Sequence, residues 1–357
     1  LPAAARGGSA DSAESGAPRA APSAVTSAIV TLERRLQQGR LRLPAWRGHR
    51  ARLAFGRGFF AQLGDDALRI YPDRQAQPSV VEPVQEPRAV LALADGSLLA
   101  VDARRLLSFQ PGSTRVKALP RPVLLPDAEL YADALRADTI WVFEPARGGA
   151  PAKLSSFVLG KSDTAVPLPE QSLELSTPSQ GVLGVTGEGV WLYLTPGQAE
   201  RLAPGGGRLP ALKLDDAPLP AWVLPAPRID HSLWLNEAGE LWRVQVSPSF
   251  RRLERSAIPG RVFAADVGDR GRLFAAVSIT AEGPRFELEL LDARLATLAR
   301  VVLPAEQPTG ADDWVQVVTR DQELVVSPSA PRVAVGGPQR ATIFDASGKV
   351  VFSIPSR

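Results

Sequence analysis

His49 and His231 are the only imidazoles in the chain, and there is no cysteine at all. Without an HExxH helix, a second nearby histidine or a Cys/His cluster, the sequence offers no transition-metal spacing. The missing cysteines also exclude disulfides, thiolate ligands and thiol nucleophiles. Asp230-His231-Ser232 contains the residue types of a proton relay. Neighbours on a strand point to opposite faces, however, so these three cannot line up as one. The acid pairs Asp65-Asp66, Asp215-Asp216 and Asp312-Asp313 fall in predicted turns and lack the ligand spacing of a calcium loop. Gly205-Gly206-Gly207 opens no helix and precedes no Lys-Ser/Thr pair, so it reads as a loop and not a phosphate cradle. The sequence predicts no catalytic residue, no metal and no cofactor.

Composition narrows the remaining classes. The 357 residues are 45% hydrophobic and 22% charged, enough for a sizeable core. Formal net charge is only +3, so no overall field draws nucleic acid. No apolar run reaches the roughly 18 residues that a membrane helix needs. Asn236 is the only asparagine and is followed by Glu-Ala, so there is no glycosylation sequon. Met is absent even at position 1. The expectation is a chain that starts after a removed segment or was trimmed.

Three regions follow from local pattern. Residues 1–26 are Ala, Gly, Ser and Pro with scattered charge, too polar to offset the entropy of ordering, and read as a disordered spacer. Residues 27–38 predict a short helix capped by Thr26 or Ser27, with Ile29, Leu32 and Leu36 on one face and Gly39 as its stop. Arg34 and Arg35 stand in its last turns and begin a basic connector that runs on past residue 49 to Arg57, with eight Arg and no acid. From about residue 50 to 357, apolar runs of four to eight residues alternate with Gly, Pro and Asp, which is strand vocabulary.

Those runs repeat. Taking Phe60, Leu99, Trp141, Trp191, Trp234, Phe274 and Val325 as anchors of a second strand, the repeat averages about 44 residues, the length of a propeller blade. First strands are read at 88–93, 131–136, 221–226, 261–266 and 314–319, and more polar fourth strands at 114–119, 250–255 and 349–354. Inner strands that are apolar and outer strands that are polar grade a blade from hub to rim. The expected fold is all-β, a seven-bladed β-propeller behind a tail and one helix. Acids in the first turns, such as Asp95 and Asp138, are read as turn formers.

One stretch, Ile343-Phe344-Asp345-Ala346-Ser347-Gly348-Lys349-Val350-Val351-Phe352, resembles the quinoprotein-type propeller blade, in which apolar residues flank Asp-Ala-x-Gly-Lys. Leu291-Asp292-Ala293 and Val101-Asp102-Ala103 echo it, and Phe352 stands where that blade carries a docking Trp. The blade type is shared by quinone dehydrogenases and an outer-membrane assembly lipoprotein, so the resemblance implies the propeller fold.

Function must then come from the mouth of the ring. The residues entering each first strand are read as Arg50, Arg88, Tyr131, Gln180, Trp222, Arg261 and Trp314, and Arg, Tyr and Trp are the side chains favoured at protein-binding hot spots. The helix offers a second surface through Ile29, Leu32, Leu36, Arg34 and Arg35. Three apolar residues bury little area, so lipid contact there is weak and salt-sensitive, and docking on a protein is preferred. The expectation is a non-enzymatic scaffold of the bacterial cell envelope. It would be periplasmic or outer-membrane-associated and part of a protein complex, with membrane contact limited to tethering or weak surface binding. The alternative is a metal-assisted propeller hydrolase or lyase acting on sugars or lactones.

Overall fold

The computed structural model describes residues 51–160, 168–175, 181–186, 189–195, 198–203, 207–213, 220–225, 231–236, 239–245, 251–268, 272–279, 286–304 and 323–355. The predicted tail, helix and connector over residues 1–49 lie outside the described residues.

Seven four-stranded antiparallel sheets follow one another along the chain, each in simple meander order. Blade 1 comprises β1 (Leu53–Gly56), β2 (Phe59–Leu63), β3 (Ala67–Pro72) and β4 (Val80–Pro83). Blade 2 has β5 (Ala89–Ala92), β6 (Leu98–Val101), β7 (Leu106–Phe109) and β8 (Lys117–Leu119). Blade 3 has β9 (Glu129–Ala132), β10 (Thr139–Glu144), β11 (Ala152–Val158) and β12 (Pro169–Leu175). Blade 4 has β13 (Gly181–Thr186), β14 (Gly189–Thr195), β15 (Gln198–Leu202) and β16 (Arg208–Lys213). Blade 5 has β17 (Pro220–Pro225), β18 (His231–Asn236), β19 (Leu241–Gln245) and β20 (Arg251–Arg255). Blade 6 has β21 (Arg261–Gly268), β22 (Leu273–Ile279), β23 (Phe286–Leu291) and β24 (Thr297–Val302). Blade 7 has β25 (Glu323–Val326), β26 (Arg332–Gly336), β27 (Ala341–Asp345) and β28 (Val350–Ile354). The fold is the expected all-β seven-bladed propeller, and no helix occurs among the described residues.

The apolar runs exist because inner strands are buried on both faces. In β1, Leu53 and Phe55 pack toward blade 7 while Ala54 packs toward blade 2. In β6, Leu98 and Ala100 join the blade 1 side, and Leu99 and Val101 the blade 3 side. In β10, Ile140 and Val142 meet blade 2, and Trp141 and Phe143 meet blade 4. Side chains alternate along a strand, so a blade between two neighbours needs apolar residues at every position. Each large side chain so buried contributes about 1.5–3 kcal/mol. The outer strand β24, by contrast, alternates exposed and half-buried residues.

The ring closes between whole blades, with β1 opening blade 1 and β28 completing blade 7. Leu53, Phe60 and Tyr71 pack on Ala334, Ile343 and Phe352 across that seam. Polar contacts fasten it. The Arg52 amide donates to both carboxylate oxygens of Glu323 (2.9 Å each), and the Leu53 amide donates to Glu323 Oε1 (3.0 Å). Gln62 Nε2 donates to the Gly337 carbonyl (3.0 Å), and Arg332 pairs with Asp73.

Two expectations shift in register. Residues 323–326, read as a second strand anchored on Val325, are the innermost strand of blade 7, and its second strand is β26. Both are buried throughout, so apolar content alone does not tell first from second. The first strand of blade 3 ends at Ala132 and not at Arg136, because Asp133 Oδ1 accepts the amides of Leu135 (2.9 Å) and Arg136 (2.8 Å) and forces a turn. The predicted strand 314–319 lies outside the described residues.

Candidate functional site

Antiparallel meanders put the start of strand 1, the turn between strands 2 and 3 and the end of strand 4 on one face, here the entry face. The other two turns lie on the opposite face. Three turn acids on that opposite face are spent locally. Asp95 Oδ1 accepts the Ser97 amide and hydroxyl (2.9 and 2.6 Å). Asp292 Oδ1 accepts the amides of Arg294 (2.7 Å) and Ala296 (3.0 Å). Asp345 Oδ1 accepts those of Ser347 (2.8 Å) and Lys349 (3.1 Å) and the Ser347 hydroxyl (2.6 Å). Local hydrogen bonds to Ser347 hold the Asp345 carboxyl below its ordinary range.

On the entry face, the sector between blades 2 and 3 is different. Arg88, half-buried at the entrance to β5, fixes its backbone by donating N–H to Val101 O (2.8 Å). Its Nη1 donates to the Leu125 carbonyl (3.1 Å). Arg121 lies in the connector between β8 and β9, and its Nη1 donates to the Asp102 carbonyl (2.9 Å). Burial, with the Arg88 guanidinium close by, lowers the Arg121 pKa, and Asp102 opposes that shift. Asp102 is itself committed. It is buried, and its side chain accepts the amides of Arg104 and Arg105 (2.8 Å each) and Arg105 Nε (3.3 Å). Arg105 continues to Glu82 (3.0 Å) and the Pro83 carbonyl (2.6 Å).

The same connector presents apolar side chains to solvent. Val123 is 87% exposed and Leu125 39%, while Leu124 between them is buried in the core shared by blades 2 and 3. Beyond Leu125 opens a cleft of about 310 Å³, bounded by the Arg147–Ala150 hairpin tip and floored by Glu144, Lys153 and Glu174. Those three floor residues are cross-strand neighbours on β10, β11 and β12, so charge alternates along the floor. At the hairpin tip Gly148 and Gly149 both adopt positive φ (57° and 85°), the conformation of a two-residue turn that other residues resist.

The sequence-predicted residues distribute unevenly. Arg88 stands in this sector. Tyr131 is 4% exposed, packs in the core between blades 3 and 4, and donates its hydroxyl to Glu129 (2.6 Å). Burial together with Glu129 pushes that hydroxyl well above its ordinary pKa. Arg261 begins β21, half-buried, with its Cγ over Gly239 of the blade 5 turn. Trp222 lies on β17 and His231 opens β18, paired with Gln245. Arg50, Gln180 and Trp314 lie outside the described residues, as do Ile29, Leu32, Leu36, Arg34, Arg35 and His49. Of the acid pairs, Asp65 and Asp66 face Arg52 and Arg69 across a turn. Among the described residues no group of three His, Cys, Asp or Glu is placed to hold a metal ion. Arg121, Val123 and Leu125 escaped the sequence reading.

The fold is similar to that of Sqt1 from Saccharomyces cerevisiae, with TM-score 0.51 and 10% identity over 87% of this chain and 86% of that one. Hsv2 from Kluyveromyces lactis superimposes with TM-score 0.43 and 10% identity over 72% of each chain. At such identity the likeness concerns the fold alone. No family model and no curated protein matches the chain by sequence.

Proposed function

We propose that this chain is a non-enzymatic scaffold of the bacterial cell envelope that binds a protein partner through the entry face, in the sector between blades 2 and 3. The observation that carries the reading is the solvent-facing pair Val123 and Leu125, set beside Arg88 and Arg121 and next to a cleft. Exposed apolar side chains rimmed by charge mark protein-binding surfaces, and Arg is enriched at their hot spots. The envelope assignment is supported by the low-complexity leading segment and by the likeness of Ile343–Phe352 to a blade type found in an outer-membrane assembly lipoprotein.

The test places a photo-crosslinking residue at Val123, and a control at Val350 on the rim, in cells of a bacterium that encodes the chain. The expected result is one protein adduct at position 123, recovered with the envelope fraction and absent at position 350. Equal labelling at both positions, or recovery only with the cytosol, refutes the reading.

A further inference from the structure

We propose that Arg88 and Arg121 form a carboxylate clamp that takes an acidic side chain of an extended partner segment, with the neighbouring apolar residue of that segment resting on Val123 and Leu125. This rests on the reading that the entry face binds a protein.

The two guanidiniums are positioned by neutral groups. Arg88 spends one donor on the Leu125 carbonyl and Arg121 one on the Asp102 carbonyl. A carbonyl orients a guanidinium without cancelling its charge. The carboxylate of Asp102, whose charge Arg121 feels, is taken up by two backbone amides and by Arg105. The Arg88 guanidinium is close enough to lower the Arg121 pKa, and that repulsion is a cost a shared anion removes. Arg carries five donors in a planar fork, so each retains donors for a carboxylate, and such charge-assisted bonds are the strong ones.

The surroundings select among anions. Val123 and Leu125 supply apolar contact that an inorganic anion does not use. The adjoining floor carries Glu144 and Glu174 on either side of Lys153, so a polyanion or an anionic bilayer running past the clamp meets two carboxylates. A peptide that is acidic at one position and apolar at the next matches all three features.

The probe is a displayed library of random decapeptides panned against the full chain at low ionic strength. Enriched peptides are then titrated against the wild type and three variants: Arg88→Glu/Arg121→Glu, Arg88→Lys/Arg121→Lys and Val123→Asp. The clamp predicts enrichment of Asp or Glu beside an apolar residue. Affinity should fall about tenfold or more in the double Glu variant, and by an intermediate factor in the double Lys variant, which keeps charge but loses the fork. Should the Glu variant lose its melting transition, the Lys variant carries the comparison. Peptides without an acid, or affinities indifferent to both double variants, overturn the clamp; if Val123→Asp still abolishes binding, the protein-binding reading survives. No enrichment overturns the clamp, and with no position-specific adduct at Val123 it overturns both. Arg-dependent binding to phosphatidylglycerol vesicles without peptide enrichment points to lipid and likewise overturns it.

Discussion

Glu323 is the group on which the seam between blades 7 and 1 turns, and it carries a pH signature. It is 1% exposed, and burial pushes its pKa from 4.5 up to about 8, against the pull of the Leu53 and Arg52 amides and with nearby Asp266 adding to the rise. Oε1 accepts from both amides, so a proton can sit on Oε2 at the loss of only the second Arg52 contact. In the unfolded chain the same carboxyl ionises at its ordinary value. The folded state therefore binds the extra proton between the two values. Stability from this group is greatest below about pH 4.5, declines as pH rises toward 8 and is level above that. At about 1.4 kcal/mol per unit, the decline totals on the order of 5 kcal/mol.

Glu323→Gln mimics the protonated acid without its titration. Urea denaturation followed by the fluorescence of the seven tryptophans, from pH 4.5 to 8.5, should show the two proteins within about 1 kcal/mol at the acid end, one hydrogen bond's worth. The variant should become the more stable one as pH rises, because the titration cost is gone. Glu323→Ala should be less stable than Glu323→Gln at every pH, since it leaves the Arg52 and Leu53 amides without an acceptor at about 1–3 kcal/mol each. A wild-type-minus-Gln difference that does not change with pH refutes the reasoning. One that favours the wild type at high pH means the amides hold an ionised carboxylate and outweigh burial.

Two further perturbations test the frame. Gly268→Ala should lower stability by about 1–3 kcal/mol, because a Cβ there collides with the Ser327 carbonyl of blade 7; calorimetric melting reads it, and an unchanged midpoint denies the close approach. Trp141→Phe should cost about 1–3 kcal/mol by stripping the buried bond from Nε1 to Asp133 Oδ2 (2.8 Å), and it should not be rescued by Asp133→Ala, because Asp133 Oδ1 also holds the turn through the Leu135 and Arg136 amides.

What could be read from the sequence follows from where burial is continuous. The six anchors from Phe60 to Phe274 all fall on second strands, because those strands carry runs of consecutive apolar residues bounded by turn residues. The seventh failed for the same reason turned round: Glu323–Val326 and Arg332–Gly336 are both buried throughout, so the pattern had no contrast to use. In blade 3, Tyr131-Ala132-Asp133-Ala134-Leu135-Arg136 alternates like a strand, but Asp133 finds two amides and ends it. Arg88 was legible as an entry residue. Arg121, Val123 and Leu125 were not, since a connector between blades has no period. The available signal was Val123, Leu124 and Leu125 between Pro122 and Pro126, three apolar residues in a stretch that cannot be a central strand.

That connector also explains why binding would be concentrated there. Pro120, Pro122 and Pro126 fix backbone torsions, the Ala128 amide donates to the Leu125 carbonyl (3.1 Å), and Arg88 bonds the same oxygen from the other side. Leu124 is rooted in the core shared by blades 2 and 3, so the residues on either side of it are held outward. Ordering a loop on association costs free energy that a loop already fixed does not spend again. On the opposite face, the described acids of the turns at Asp95, Asp292 and Asp345 are closed on their own backbone, which leaves them little to offer a partner. The entry face instead presents guanidiniums oriented by carbonyls and apolar side chains held clear of the core. On the proposed reading, recognition falls where the connector backbone is fixed and each guanidinium keeps donors beyond the one it spends on a carbonyl.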